Sequence, residues 1–162
     1  MFNKMIVGYD GSEGSRTALI HAVDLMHNRP NTSLIVAYVN DDVVGEDIAY
    51  SNESVGSAPI LNDMTVAPQA TSVENSPQYL AREYAQQMTE SIQIQLDRHH
   101  VDAQILAIDG QPARALANLA ETEKADVIIV GNSGKSGFQK FFVGSVSEKI
   151  VKESPCTVIV VK

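Results

Sequence analysis

The feature that most narrows the folds open to this chain is Val127-Ile128-Ile129-Val130, a wholly apolar, β-branched run that stops at Gly131 and gives way to Asn132-Ser133-Gly134. β-Branched residues favour extended backbone, and a run without polar alternation belongs to a strand covered on both faces. Ten residues after Gly134 comes Gly144-Ser145-Val146-Ser147, and Val146, Ile150 and Val151 then mark an amphipathic segment. A buried strand, a small-residue loop and a helix start follow one another. Small residues let main-chain N–H groups approach an anion, and the helix dipole favours negative charge at that point.

The rest of the chain supplies a frame of the same kind. Lys4 to Tyr9 predicts a first strand, with Gly8-Tyr9-Asp10-Gly11-Ser12 at its end. Ser12 is a plausible N-cap, and Ala18, Leu19, Ala22, Val23 and Met26 recur at helical spacing, predicting a helix to about Asn28 before Arg29-Pro30-Asn31. Ser33 to Val39 is a second strand, and a strand–helix–strand connection makes the two parallel. Residues 40–75 are acidic and rich in Ser and Asn, with two small apolar clusters, Ile48-Ala49-Tyr50 and Ile60-Leu61; a connection this long reads as a mobile loop. Ser76-Pro77 opens a long helix striped by Leu80, Tyr84, Met88, Ile92 and Leu96 and ending near Arg98-His99-His100. Val101 to Ile108 alternates as a third strand, and Ala113, Leu116, Ala117 and Ala120 form the apolar face of a third helix. Helix four starts at Ser145, Pro155 ends it, and Cys156 to Val161 is the last strand. Five strands alternating with four helices define an α/β fold, a parallel sheet with helices on both faces. All 162 residues are read as one domain.

Composition narrows the function. The net charge of −8 argues against wrapping nucleic acid, a process driven by phosphate neutralisation. That charge is uneven: residues 131–162 carry +3 and the preceding residues −11. Lysines beside a glycine-rich loop suit one phosphate chain, although the same lysines also solubilise an exposed face. No apolar run reaches the roughly 20 residues of a membrane helix, and no secretory signal is evident, so the cytoplasm is expected. The lone Cys156 excludes an internal disulfide and reads as a small core residue. His99 and His100 are adjacent and cannot share a helical face, which gives no metal set there.

In open parallel sheets ligands bind beyond the carboxyl ends of strands, where strand order reverses. Asp10, Val39 and Gly131 through Gly134 fall at such ends. If strands 1 and 4 are neighbours, Asp10 can accept from a sugar hydroxyl or an exocyclic amine, and Val39 can offer main-chain groups and an apolar wall. Gly131, Gly134 and the Gly144-Ser145 turn would cradle phosphates, with the Ser145 and Ser147 hydroxyls as donors. Two plainer readings stand beside these: Asp10 as a cap of the first helix, and Gly131 and Gly134 as turn glycines. There is no Gly-x-x-x-x-Gly-Lys-Ser/Thr, no Gly-x-Gly-x-x-Gly after strand 1, and no nucleophile–base constellation. A phosphate binder without a base or nucleophile reads as a sensor. A slow ATPase and a nucleotide-independent scaffold are the alternatives.

These residues also carry a resemblance. Gly131-x-x-Gly134, nine residues and Gly144-Ser145, with Val7-Gly8-Tyr9-Asp10-Gly11-Ser12 at the front and Pro155-Cys156-Thr157-Val158-Ile159-Val160-Val161 at the end, resemble the universal stress protein family over nearly the whole chain. The glycine pattern points to the ATP-binding branch, because the other branch lacks it. The resemblance implies a sheet in order 3-2-1-4-5, an ATP, ADP or AMP site with Mg or Mn accompanying the phosphates, and a homodimer through residues 156–162. An apolar final strand at a sheet edge needs such cover in any case. By motif, Gly8, Tyr9, Asp10 and Val39 would meet the adenine and ribose. Val130, Gly131, Ser133, Gly134, Gly144, Ser145, Val146 and Ser147 would surround the ribose and phosphates. Gly8 and Tyr9 stand where the family often has proline and a small hydroxyl residue, so Gly8 is expected to loosen that corner and Tyr9 to crowd or stack on the base.

Overall fold

In a computed structural model, which describes residues 2–27, 29, 31–40, 77–132 and 144–162, the chain runs β1 (Lys4–Tyr9), α1 (Glu13–Met26), β2 (Ser33–Asn40), α2 (Pro77–His99), β3 (Gln104–Asp109), α3 (Pro112–Glu123), β4 (Val127–Gly131), α4 (Ser145–Glu153) and β5 (Thr157–Val161). The five strands form one sheet in order β3-β2-β1-β4-β5, every pairing parallel, which is the order the resemblance implies. Loop 40–75 lies outside the described residues except for Asn40.

The central strands are buried on both faces, which is why they lack alternation. Met5, Val7, Tyr9, Leu34, Val36, Tyr38, Val127 and Ile129 pack under α1 and α2, with Ala18, Leu19, Ala22, Val23, Ile92 and Leu96. Ile6, Ile35, Ala37, Ile128 and Val130 pack on the opposite face with Ala113, Leu116 and Ala120 of α3 and Ile150 of α4. Gly8 lies in this second layer, and a Cβ there would sit 2.8 Å from Leu116 Cδ1 and 3.1 Å from Val130 Cγ1. Gly8 therefore tightens the corner it was expected to loosen, because its missing side chain lets α3 settle on β1.

Several boundaries differ from the sequence reading. β3 begins at Gln104, since Val101 still closes the end of α2 and residues 102–103 precede the ladder. His100 takes a left-handed φ of 54°, its amide donates to the Asp97 carbonyl, and the Val101 amide donates to that of Leu96. α3 ends the same way at Lys124, with φ 53°. Both are Schellman closures in which a histidine and a lysine stand in for the usual glycine, and α2 ends where Arg98-His99-His100 was expected to end it. Cys156 precedes β5 and is half-buried.

Two apolar stripes are only partly used. In α2, Ile92 and Leu96 are fully buried while Leu80 is 53% exposed. A helix of 23 residues spans roughly 35 Å and outruns strands of roughly 20–26 Å, so its N-terminal half overhangs the carboxyl edge of the sheet. In α4, Ser147 and Ile150 face the sheet; Val146 and Val151 flank that line and stay exposed.

At the opposite edge, Asp126 Oδ2 accepts from the amides of Asn3 at 2.6 Å and Lys4 at 2.9 Å, bolting the start of β1 to that of β4. These bonds, that of Lys4 first, hold the Asp126 carboxyl below its ordinary value of 3.8. A depressed folded-state pKa stabilises the fold above the unfolded value, and the contribution disappears as pH falls through the folded one. Asp126→Ala should therefore lower urea stability at pH 7, and the gap from wild type should close as the pH is taken below 3.8. A gap independent of pH would show that the carboxylate charge is not what holds the two strands.

Candidate functional site at the carboxyl edge

β1 pairs with β2 on one side and β4 on the other. The chain leaves β1 through α1 on one face and reaches β4 through α3 on the other, so strand order reverses between β1 and β4. This is the crevice where open α/β sheets take ligands.

The β1 side is built from Asp10-Gly11-Ser12. Ser12, in extended backbone, caps α1: its Oγ accepts from the Ser15 amide at 3.2 Å, and the buried Ser15 hydroxyl donates to the Ser12 carbonyl at 2.9 Å. Capping therefore falls to Ser12. Asp10 braces the turn through Oδ1, which accepts from the Ser12 amide at 2.9 Å, and no described residue bonds its Oδ2. Gly11 has φ +77°, and a Cβ there would lie 3.0 Å from the Met88 methyl, so the overhanging part of α2 covers this turn.

Tyr9 does not enter the crevice. Its ring, 3% exposed, belongs to the core under α1 and α2, and its hydroxyl shares a 2.9 Å hydrogen bond with Ser91 Oγ. Side chains alternate across a strand, which sends Tyr9 the way of Met5 and Val7. A ring held there neither crowds nor stacks on a base at the strand ends. Val39 is half-buried near the end of β2, opposite Ile108.

Gly131 is glycine for a packing reason. A Cβ on it would fall 2.4 Å from the carbonyl carbon and 2.7 Å from the carbonyl oxygen of Gly14, in the first turn of α1. The backbone of α1 thus rests directly on the end of β4, and Gly14, which no motif singled out, is the other half of the contact. On the far side Ser147, 4% exposed, donates its hydroxyl to the Gly131 carbonyl at 2.7 Å. That donor was expected to serve phosphates; it instead pins α4 to β4. The Gly144 amide is likewise spent within the protein, on the Asn132 carbonyl, and the Asn132 amide donates to that of Val161 at 2.8 Å. Val130 is buried beneath the crevice, 5% exposed. Ser133 and Gly134 lie outside the described residues.

What stays open is the head of α4. Gly144 is its N-cap and contributes no side-chain bond; the Glu148 amide closes the first turn on the Gly144 carbonyl at 2.9 Å. The amides of Ser145, Val146 and Ser147 meet no acceptor among the described residues. Ser145 itself is exposed. Three N–H groups without an acceptor among the described residues thus stand at the positive end of a helix dipole, in the crevice where strand order reverses, an arrangement that favours an anion. Glu148, the acidic residue of that turn, pairs with Lys152 at 2.8 Å.

Gly131→Ala should cost about 1–3 kcal/mol of stability in protein free of any ligand, because α1 must shift off β4. Urea unfolding checks this. Unchanged stability would return Gly131 to a purely ligand-facing role.

The comparisons with known proteins agree with this architecture. The model of the universal stress protein family matches residues 1–162. Universal stress protein YxiE of Bacillus subtilis (strain 168) is 28% identical over 164 residues, an alignment covering 100% of both chains. The solved structure of universal stress protein UspA from Lactobacillus plantarum superposes with a TM-score of 0.74 at 18% identity, over 99% of this chain and 97% of that one. A universal stress protein in complex with cAMP superposes with a TM-score of 0.64 at 22% identity, over 99% and 97%. The structural likenesses establish the fold, and the family match spans every residue: this chain belongs to the universal stress protein family.

Proposed function

We propose that this protein binds an adenine nucleotide, ATP or its mono- or diphosphate, in the crevice between β1 and β4, and that occupancy regulates a dimer in a stress response. The observation that carries the reading is the uncapped head of α4, where the amides of Ser145, Val146 and Ser147 have no acceptor among the described residues. A relative of the same fold was solved with cAMP, which supports a nucleotide of this class. In this reading the phosphates lie against Ser145 and Val146, with Gly131, Ser133, Gly134 and Gly144 keeping side chains out of their way. Asp10 Oδ2 accepts from the ribose, and the main chain of Val39 meets the base.

Mg or Mn would enter with ATP. In this reading the phosphates are its principal ligands. The dimer forms through the half-buried edge strand β5, TVIVV, whose free edge needs cover. The site and this edge are one hydrogen bond apart, since the Asn132 amide reaches the Val161 carbonyl. A nucleotide that orders the end of β4 therefore also orders the strand that pairs with a second copy. No helix among the described residues is long and apolar enough to cross a membrane.

Calorimetric titration of nucleotide-free protein with Mg-ATP should give saturable heat. Ser145→Ala, which removes one donor to an anion, should weaken binding about tenfold while leaving the unliganded melting temperature unchanged. Absence of heat and of thermal stabilisation at millimolar nucleotide would defeat the reading. Sedimentation should give twice the chain mass; a monomer would remove the dimer from it.

A further inference from the structure

The turn that carries Asp10 pivots on a residue without a side chain. Gly11 holds φ +77°, a region that glycine leaves as readily as it enters. Within the turn one bond resists such motion, the 2.9 Å donation from the Ser12 amide to Asp10 Oδ1. From outside, a single side chain covers the pivot. A Cβ built on Gly11 would lie 3.0 Å from Met88 Cε and 3.5 Å from its Sδ. Chain neighbours aside, no other atom among the described residues comes within 4 Å of that position.

Met88 reaches the turn from α2, and α2 is tied to β1 beside it. Ser91, three residues on and so on the same helix face, shares the 2.9 Å hydrogen bond with the Tyr9 hydroxyl. Ile92 and Leu96 then sink the rest of the helix into the core. Tyr9 directly precedes Asp10. The contacts close a ring from Tyr9 through Ser91 and Met88 to Gly11, and Asp10 is its closing link.

We infer that Met88 is a positioning residue for Asp10, its thioether holding the Gly11 turn in place, an assignment that rests on the nucleotide reading above. A carboxylate that gives Oδ1 to the Ser12 amide offers Oδ2 along a line set by the turn. Were Gly11 to relax, the carboxylate would rotate freely, and a ligand hydroxyl would have to order it again on binding. Met88 packs with the core under α1 and α2, behind the turn, so it acts through Gly11 and not on the ligand.

Two measurements on the full chain test this together. Without ligand, hydrogen exchange of the Ser12 amide should accelerate in Met88→Ala about tenfold more than that of Ile6 and Val7, whose amides report opening of the core. Calorimetry then compares ATP with 2′-deoxy-ATP and 3′-deoxy-ATP. Wild type should hold ATP roughly tenfold tighter than at least one of the two, the effect of one hydrogen bond to a charged group. Met88→Ala should bring that ratio to within about twofold of unity, and Met88→Leu, of similar volume, should restore it. A ratio unchanged in Met88→Ala overturns the assignment, because the turn would then hold Asp10 unaided. So does equal acceleration of the Ser12, Ile6 and Val7 amides, the mark of a general loosening. Equal affinity of wild type for all three nucleotides removes the contact between Asp10 and the ribose, and this assignment with it. Failure of all three to bind would instead remove the nucleotide reading on which both stand.

Discussion

The contact on which the rest of this structure depends is the one at Gly131, where the first turn of α1 meets the end of β4 backbone against backbone. Two helices converge on that residue from opposite faces. α1 presses Gly14 against it, and α4 sends the Ser147 hydroxyl to its carbonyl. The strand end, the start of the helix after β1 and the start of the helix after β4 are thereby locked to one another. A crevice built this way is preorganised, because its walls are positioned by contacts in the interior. The amides at the head of α4 meet no acceptor among the described residues, which leaves the positive end of that helix to the anion proposed above.

This arrangement redistributes the roles of small and hydroxyl residues. Glycine beside a phosphate site is usually explained by the ligand, yet Gly131 is demanded by the backbone of Gly14 in α1, and Gly8 lets the Leu116 side chain of α3 come close. Of the serines at the crevice, Ser12 caps, Ser15 braces the cap and Ser147 ties α4 down. Ser145 alone among these remains turned outward. Most of the polar chemistry at this edge thus holds the frame, and a small remainder faces the crevice. That division is economical, since buried hydroxyls must be bonded somewhere in any case.

The overhang of α2 belongs to the same picture. A helix longer than the strands it covers carries Met88 over the Gly11 turn and leaves Leu80 above the sheet edge. The sequence shows only a continuous stripe from Leu80 to Leu96. Strand length, which limits how much of that stripe has a floor beneath it, belongs to other parts of the chain.

What the sequence determined by itself was local pattern: apolar runs that must be buried on both faces, helical repeats, the Gly131 to Ser147 grammar and hence the parallel α/β class. The glycine spacing also carried the family. Chain order also points to the carboxyl ends of β1 and β4 as the place for a ligand, because ligand location in such sheets follows from it. Tertiary structure alone decided which atoms there are spoken for. The approach of Gly14 to Gly131, the burial of Tyr9 beside Ser91 and the loss of the Ser147 and Gly144 donors to internal acceptors all involve residues distant in sequence. A hydrogen-bonding group announces its capacity in the sequence, but its partner is chosen only when the chain brings remote elements together.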